Sequence, residues 1–389
     1  MFAKPIYLDN NATTAMDPRV FEAMTPFFME QYGNAASATH LYGWESKDAV
    51  EEARGKIASL LNAGSKEIVF TSGATESDNL ALKGLFEQHA GKGNHIITCA
   101  TEHKAVLDTC KHLEKLGGEI SYLPVMHDGL IDLFLLEKAI RPTTVLIAIM
   151  YANNETGVIQ PVQEISAIAH RHKLLFFCDA TQAVGKIPVD VQKDGIDLMA
   201  FTAHKMYGPK GTGALYIRRK PATVQLTAQM DGGGHERGFR SGTLNVPGIA
   251  GLGKACEIAS QEMESDTGRI KSLRDKLETS LLQLPGSYLN GHPEFRIPNV
   301  SNIAFDNVDG QGMMLAFSKF IAISSGSACT SVTQEPSFVL KAMGLSDDRA
   351  RSSFRFSLGR FTTAEEIDFT IEKVSSTVKH FRDISSMRS

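Results

Sequence analysis

Two residues near the middle of the chain, Asp179 and Lys205, are the first whose type and setting point to chemistry. Each lies just past an apolar run, in LLFFCDATQAVG and IDLMAFTAHKMYGPKG, and each is followed by turn-forming residues. Ligands of open α/β sheets gather beyond the carboxyl ends of the strands, so an acid and an amine are expected to converge at one rim. Pyridoxal phosphate chemistry needs that pair. A lysine forms a Schiff base with the aldehyde, and an acid pairs with the pyridinium nitrogen so that the ring stays an electron sink. Taken singly, the two residues read equally as a capping aspartate and a surface lysine. The loop 71–75, TSGAT, runs from another apolar strand into the helix SDNLALKGL. Its backbone N–H groups and the hydroxyls of Ser72 and Thr75 suit a phosphate, although such turns also serve purely structural ends. GPKGTG from Gly208 lacks the trailing G-K-[ST] of a nucleotide phosphate loop, which argues against an NTPase.

A third chemical feature is Cys329, set in SSGSACTS (324–331) among residues too small to pack around a thiol. The other cysteines, Cys99, Cys110, Cys178 and Cys256, stand in apolar or helical surroundings and read as small buried hydrophobes. Five cysteines, odd in number and without a CxxC pair, fit neither a disulfide framework nor a structural zinc site, so free thiols in a reducing compartment are expected. The bland reading of the Cys329 segment is a polar connection with an incidental thiol.

The elements that must position these residues follow from the apolar pattern. EIVFTS, HIITCA, TVLIAIMY, LLFFCDA, IDLMAFTA and GALYIRR are apolar throughout rather than alternating, as strands buried on both faces of a parallel sheet are. Helical segments lie between most of them, and the alternation predicts an α/β fold with a mostly parallel sheet wrapped by helices. Before them, Val50, Ala53, Ile57, Leu60 and Leu61 form one stripe of an amphipathic helix. The pattern stops near residue 258, where KACEIASQEMESDTGRIKSLRDKLETSLLQL reads as one or two long helices. SNIAFDN, the strand FRFSLGRF and a closing helix from about Thr362 follow, the last with Thr363 and Glu366 at capping-box spacing. A large α/β domain over 16–258 and a smaller α+β domain formed by 1–15 and 259–389, carrying Cys329, are expected.

With 389 residues, 42% hydrophobic and 22% charged, the chain can bury a sizeable core. Its formal net charge of -4 gives no reason to expect nucleic acid or an anionic membrane as a partner. The N-terminal MFAKPIYLDNNATT lacks the basic and apolar regions of a secretory signal, and TTVLIAIMYA falls short of the roughly 18 apolar residues of a membrane span. A cytoplasmic protein is expected.

The segments YLDNNATT, FTSGATESDNLALKG, TEHKAVLDT, NNETGV, DATQAVGK, HKMYGPKGTGALY, GGGHERGFRSGT, SSGSACTS and RFSLGRFTT resemble, in order and spacing, those of the IscS/NifS-type cysteine desulfurases over nearly the whole chain. These are class V, fold-type I pyridoxal phosphate enzymes. The resemblance implies Lys205 as the Schiff-base lysine, Asp179 as partner of the pyridinium nitrogen, Gln182 hydrogen-bonded to the phenolic oxygen, and His103 stacked on the ring and relaying protons. It implies Ala74, Thr75, Thr202 and His204 around the phosphate, with Thr243 arriving from the second subunit of a homodimer. Asn154 would sit beside cofactor and substrate, and Arg355 would bind the substrate carboxylate. From the residues alone, Phe354, Phe356 and Leu358 share one strand face and Arg355 the other, where its planar fork can take a carboxylate; an exposed strand arginine has the same pattern. His103 and His204 are likewise ambiguous without their motifs.

The family transfers sulfur from L-cysteine to an enzyme cysteine, which the resemblance places at Cys329. The resulting persulfide passes to an iron–sulfur scaffold or another acceptor for cluster assembly or thiolation. A loop of Ser, Gly, Ala and Thr suits such a carrier because it buries little apolar surface. No resident metal is implied; Cys329 is a transient iron–sulfur ligand at most. Rival readings are selenocysteine lysis, another class V aminotransferase-type reaction, and an inactive sulfur-trafficking scaffold.

Overall fold

The computed structural model describes residues 4–221, 223–325 and 335–386. Its strands in chain order are β1 (Ile6–Tyr7), β2 (Ile68–Thr71), β3 (His95–Cys99), β4 (Glu119–Leu123), β5 (Thr144–Ala148), β6 (Leu175–Asp179), β7 (Leu198–Thr202), β8 (Gly213–Ile217), β9 (Ser287–Leu289), β10 (Val300–Phe305), β11 (Ile321–Ala322) and β12 (Ser353–Ser357). Seven form one sheet in the order β2-β8-β7-β6-β5-β3-β4. Strand β8 is antiparallel to both its neighbours, while the remaining pairs are parallel. Six strands therefore point the same way, and their carboxyl ends share one rim.

The apolar runs fill both faces of this sheet. Phe176, Met199 and Phe201 enter one core, while Phe177, Leu198 and Ala200 enter the other. Successive side chains point to opposite faces, so a strand covered on both sides must be apolar at every position. Strand β4 at the sheet edge is the exception, with Glu119 exposed and Ile120, Ser121 and Tyr122 only half-buried. Its mixed pattern explains why the apolar runs do not announce it.

The amphipathic stripe is realised in the helix Leu41–Leu60, which buries Val50, Ala53 and Ile57. It also buries Arg54, whose guanidinium makes a bidentate pair with Glu236 at 2.8 and 2.9 Å. The long-helix expectation becomes a single helix of 37 residues, Val246–Leu282, that begins well before residue 254. Gly248, Gly251 and Gly253 look like breakers in the sequence, yet they lie inside it. A Cβ on Gly253 would stand 2.6 Å from the Cα of Ala53, so the glycine permits two helices to approach closely. The expected boundary at 258/259 falls within this helix.

A second sheet, β12-β10-β9, packs with the closing helix Ala364–Ser386 around Ile303, Phe305, Phe354, Phe356, Ile367 and Val374. That helix has the expected capping box: Glu366 N donates to Thr363 Oγ1 at 3.2 Å, and Thr363 N donates to Glu366 Oε2 at 2.9 Å. Strand β1 pairs in parallel with β11, and Asp9 bridges to Ser357. The N-terminal segment 9–12 is thereby laid across the rim of the large sheet.

Candidate active site

A cleft of about 540 Å³ opens at the shared rim. Chain reversals after β2, β6 and β7 bring it residues distant in sequence: Ala74 and Thr75, Asp179 and Gln182, and Thr202, His204 and Lys205. His103, Asn154 and Arg355 complete the set that the sequence singles out within one cleft. Thr243 stands apart: it is exposed and outside the cleft of its own chain. Cys329 lies outside the described residues.

Lys205 ends the short turn after β7, and its Nζ donates to the carbonyls of Asn11 and Ala12 at 2.5 and 2.7 Å. Asp179 closes β6, is 5% exposed, and accepts from Thr181 N at 2.9 Å. Two further acids lie beneath the rim. Burial, followed by the negative charge of Asp179 and Glu102, pushes the Asp78 carboxyl well above its ordinary pKa, and neither of its oxygens has a partner among the described residues. Glu102 is pushed up chiefly by burial, although it accepts from Met150 N at 2.7 Å.

The helix Ala74–Gln88 begins at the cleft with Gly73 at its N-cap and no side-chain cap, so its first-turn N–H groups are free to face an anion. Strand β8 passes directly beneath; a Cβ on Gly213 would meet Gly73 Cα at 2.7 Å, so only glycine lets the loop sit so low. Glu76 in the first turn would repel a phosphate, but Arg240 pairs with it at 2.8 Å. Thr202 Oγ1 donates to Thr212 O at 3.0 Å, and His204 Nδ1 meets Thr13 Oγ1 at 3.1 Å. Burial, aided by Lys205 and Lys210, lowers the His204 pKa to about 4. His103 caps the helix Lys104–Lys115 through Ala105 N at 3.2 Å. Burial lowers its pKa against the opposing effect of Asp179, so it is a neutral imidazole at neutral pH.

Arg355 projects from β12 opposite Phe354 and Phe356 and is 1% exposed. It donates to Asp9 Oδ1 at 2.6 Å and to Asn154 O at 2.9 Å, while its Nε has no acceptor among the described residues. Asn153 fixes the turn beside it, accepting from Glu155 N and Thr156 N at 2.9 and 3.0 Å. The flanks of the Cys329 segment are tied to this corner. Ser324 exchanges backbone hydrogen bonds with Arg355 at 2.7 and 3.3 Å, and Ser337 Oγ donates to Glu155 Oε2 at 2.5 Å. The four described cysteines are all buried. Burial pushes the Cys99 and Cys110 thiols up to about 12, and raises Cys178 and Cys256 as well. None is a reactive thiolate at neutral pH.

Two participants escape residue-by-residue reading of the sequence. Asp9 pairs with Arg355, and Asn11 supplies the carbonyl shared by Lys205 and Gln182. YLDNNATT marks them as a motif, but nothing local indicates that the N-terminal segment crosses the sheet rim. Among the described residues there is no cluster of three metal-ligating side chains, and no helix is long and apolar enough to cross a membrane.

Residues 6–369 match the model of the family Aminotransferase class-V. The chain is 53% identical over 384 residues to a cysteine desulfurase IscS of Anaeromyxobacter dehalogenans (strain 2CP-C), covering 98% of this chain and 95% of that one. Among solved structures, a NifS-like protein superposes with a TM-score of 0.90 at 40% identity, covering 97% of this chain and 100% of the other. A structure of SspA in complex with cysteine gives a TM-score of 0.82 at 36% identity, covering 92% and 100%. The buried acid, the amine and the uncapped helix share one cleft, and the chain belongs to the class-V aminotransferase family, among relatives that are cysteine desulfurases.

Proposed function

We propose that this chain is a pyridoxal phosphate-dependent cysteine desulfurase, converting L-cysteine and the Cys329 thiol to L-alanine and a Cys329 persulfide. The carbon–sulfur bond of the substrate breaks, a sulfur–sulfur bond forms, and the displaced carbon takes a proton. The observation that carries the proposal is the convergence of Lys205, Asp179 and Arg355 on one cleft with an anion-receptive helix N-terminus. When bound, the cofactor supplies an electron sink for deprotonation at the substrate α-carbon.

The surrounding residues fit that group. Lys205 is the amine that would hold it, and Asp179 is a buried acid suited to its ring nitrogen. Gln182 would face its phenolic oxygen. The N–H groups at Ala74 and Thr75, with Thr202 and His204, suit its phosphate. Neutral His103 can accept or return a proton near the ring. Asn154 and Arg355 would receive the substrate carboxylate, the latter through its planar guanidinium. Ser324, bonded to Arg355, and Ser337, bonded to Glu155, flank the Cys329 segment in sequence, which supports its access to this corner.

A second copy of the chain belongs to this reading. Phe21, Phe28, Met29, Tyr32, Tyr42 and Trp44 are all at least 49% exposed, an unusual amount of apolar surface for a monomer. A partner covering it would bring Thr243, exposed and unused in its own chain, to the neighbouring phosphate. The persulfide is handed to an iron–sulfur scaffold or other acceptor protein in the cytoplasm, with Cys329 as a transient iron–sulfur ligand at most. The division into a large unit, 16–258, and a small unit of 1–15 with 259–389 accompanies this reading.

The test is the yield of alanine and sulfide from L-cysteine with a reductant. Wild type is expected to give equal amounts, while Cys329→Ala retains cofactor colour and loses at least about two orders of magnitude in rate. Undiminished turnover in the variant would refute the role of Cys329.

A further inference from the structure

Gln182 and Lys186 are one helical turn apart in sequence on the turns that follow β6, and their side chains meet. Lys186 Nζ donates to Gln182 Oε1 at 2.6 Å and to Asn11 Oδ1 at 3.2 Å. A carboxamide can present either of its ends, one a donor and the other an acceptor. With Oε1 engaged by Lys186, the NH₂ end of Gln182 is turned to the carbonyl of Asn11 at 3.0 Å. That carbonyl is also the acceptor for Lys205 Nζ at 2.5 Å.

We propose that Lys186 is a positioning residue that fixes the Gln182 amide with its donor end toward the cleft and so sets the hydrogen bond offered to the cofactor's phenolic oxygen. The inference rests on the role proposed above for Gln182 and adds what orients it. Burial, then the positive charges of Lys205 and Arg355, hold the Lys186 amine well below its ordinary pKa. Its amine has N–H groups enough for both acceptors, Gln182 Oε1 and Asn11 Oδ1. The anchor is itself held: Lys186 O accepts from Thr267 Oγ1 of the long helix at 2.9 Å, and Asn11 Oδ1 also accepts from Asn299 Nδ2 at 2.9 Å. Lys186 therefore occupies one place in a braced network.

The experiment titrates the absorbance of the bound cofactor with pH in the holoenzyme, for wild type, Gln182→Ala, Lys186→Met and the double variant. A donor to the phenolic oxygen favours its anionic form, so losing the donor raises the apparent pKa. Gln182→Ala and Lys186→Met are each expected to raise it by about 1–2 units, the scale of one hydrogen bond to a charged group. The double variant is expected to match Gln182→Ala alone, because Lys186 acts through Gln182. An unmoved titration in Lys186→Met beside a shifted Gln182→Ala would overturn the inference while leaving the role of Gln182 intact. A Lys186→Met shift that persists in the Gln182→Ala background would also overturn it, since the lysine would then act through its own charge. An unmoved Gln182→Ala would remove the reading on which both rest. If Lys186→Met does not fold, Lys186→Leu is read by the same criteria.

Discussion

Arg355 is almost wholly enclosed, paired with Asp9, and left with one N–H unspent beside Asn154. A guanidinium meets a carboxylate with two parallel hydrogen bonds, whereas an ammonium offers a point charge of different reach. Lysine in its place would keep the charge and lose the fork. Arg355→Lys is accordingly expected to raise KM for L-cysteine about 10- to 100-fold with a smaller effect on kcat, which initial rates would resolve. His204 gives a pH prediction in the cofactor-free protein. Its pKa in the fold is about 4, below the ordinary value of about 6.5, so the unfolded chain binds the extra proton first. Stability from this residue is complete above about pH 6.5 and is lost as pH falls towards 4. Between pH 7 and 5 the thermal midpoint of wild type should fall relative to that of His204→Asn.

At the scale of elements, the closing helix carries a measurable local device. Thr363→Ala removes the acceptor for Glu366 N at an exposed helix start, and should cost about 1 kcal/mol in denaturant unfolding without affecting turnover. This capping box was legible in the sequence because it depends on residues three apart. The apolar strands were legible for a similar reason, since burial on both faces leaves a continuous run. The edge strand β4 was not, because only Leu123 of its five side chains is fully buried. The start of the helix Val246–Leu282 was hidden by glycines that serve packing against Ala53. The site divides along the same line: Asp179, Lys205 and the loop 71–75 stand at strand ends that the pattern reveals, whereas the parts of Asp9 and Asn11 depend on a long-range crossing. The roles of Gln182, His103 and Asn154 came from the family resemblance, since no local pattern distinguishes them.

At the scale of the whole molecule, one helix belongs to two cores. Ile249, Leu252, Cys256 and Ala259 of Val246–Leu282 pack with the large sheet, while Ile270, Leu277 and Leu281 pack with the small one. Strand β1 and Asp9 add a second tie at the rim. Neither sheet can lose its packing without stripping apolar surface from the shared rod, so melting of one side is costly to the other. Differential scanning calorimetry of the cofactor-free protein is expected to show one endotherm, with a van't Hoff enthalpy per folding unit that accounts for the whole chain. Two separated peaks would show that the halves melt independently. A shared rod also means that heat damage begun in the small sheet propagates to the cofactor cleft, so thermal inactivation and global unfolding should follow the same clock.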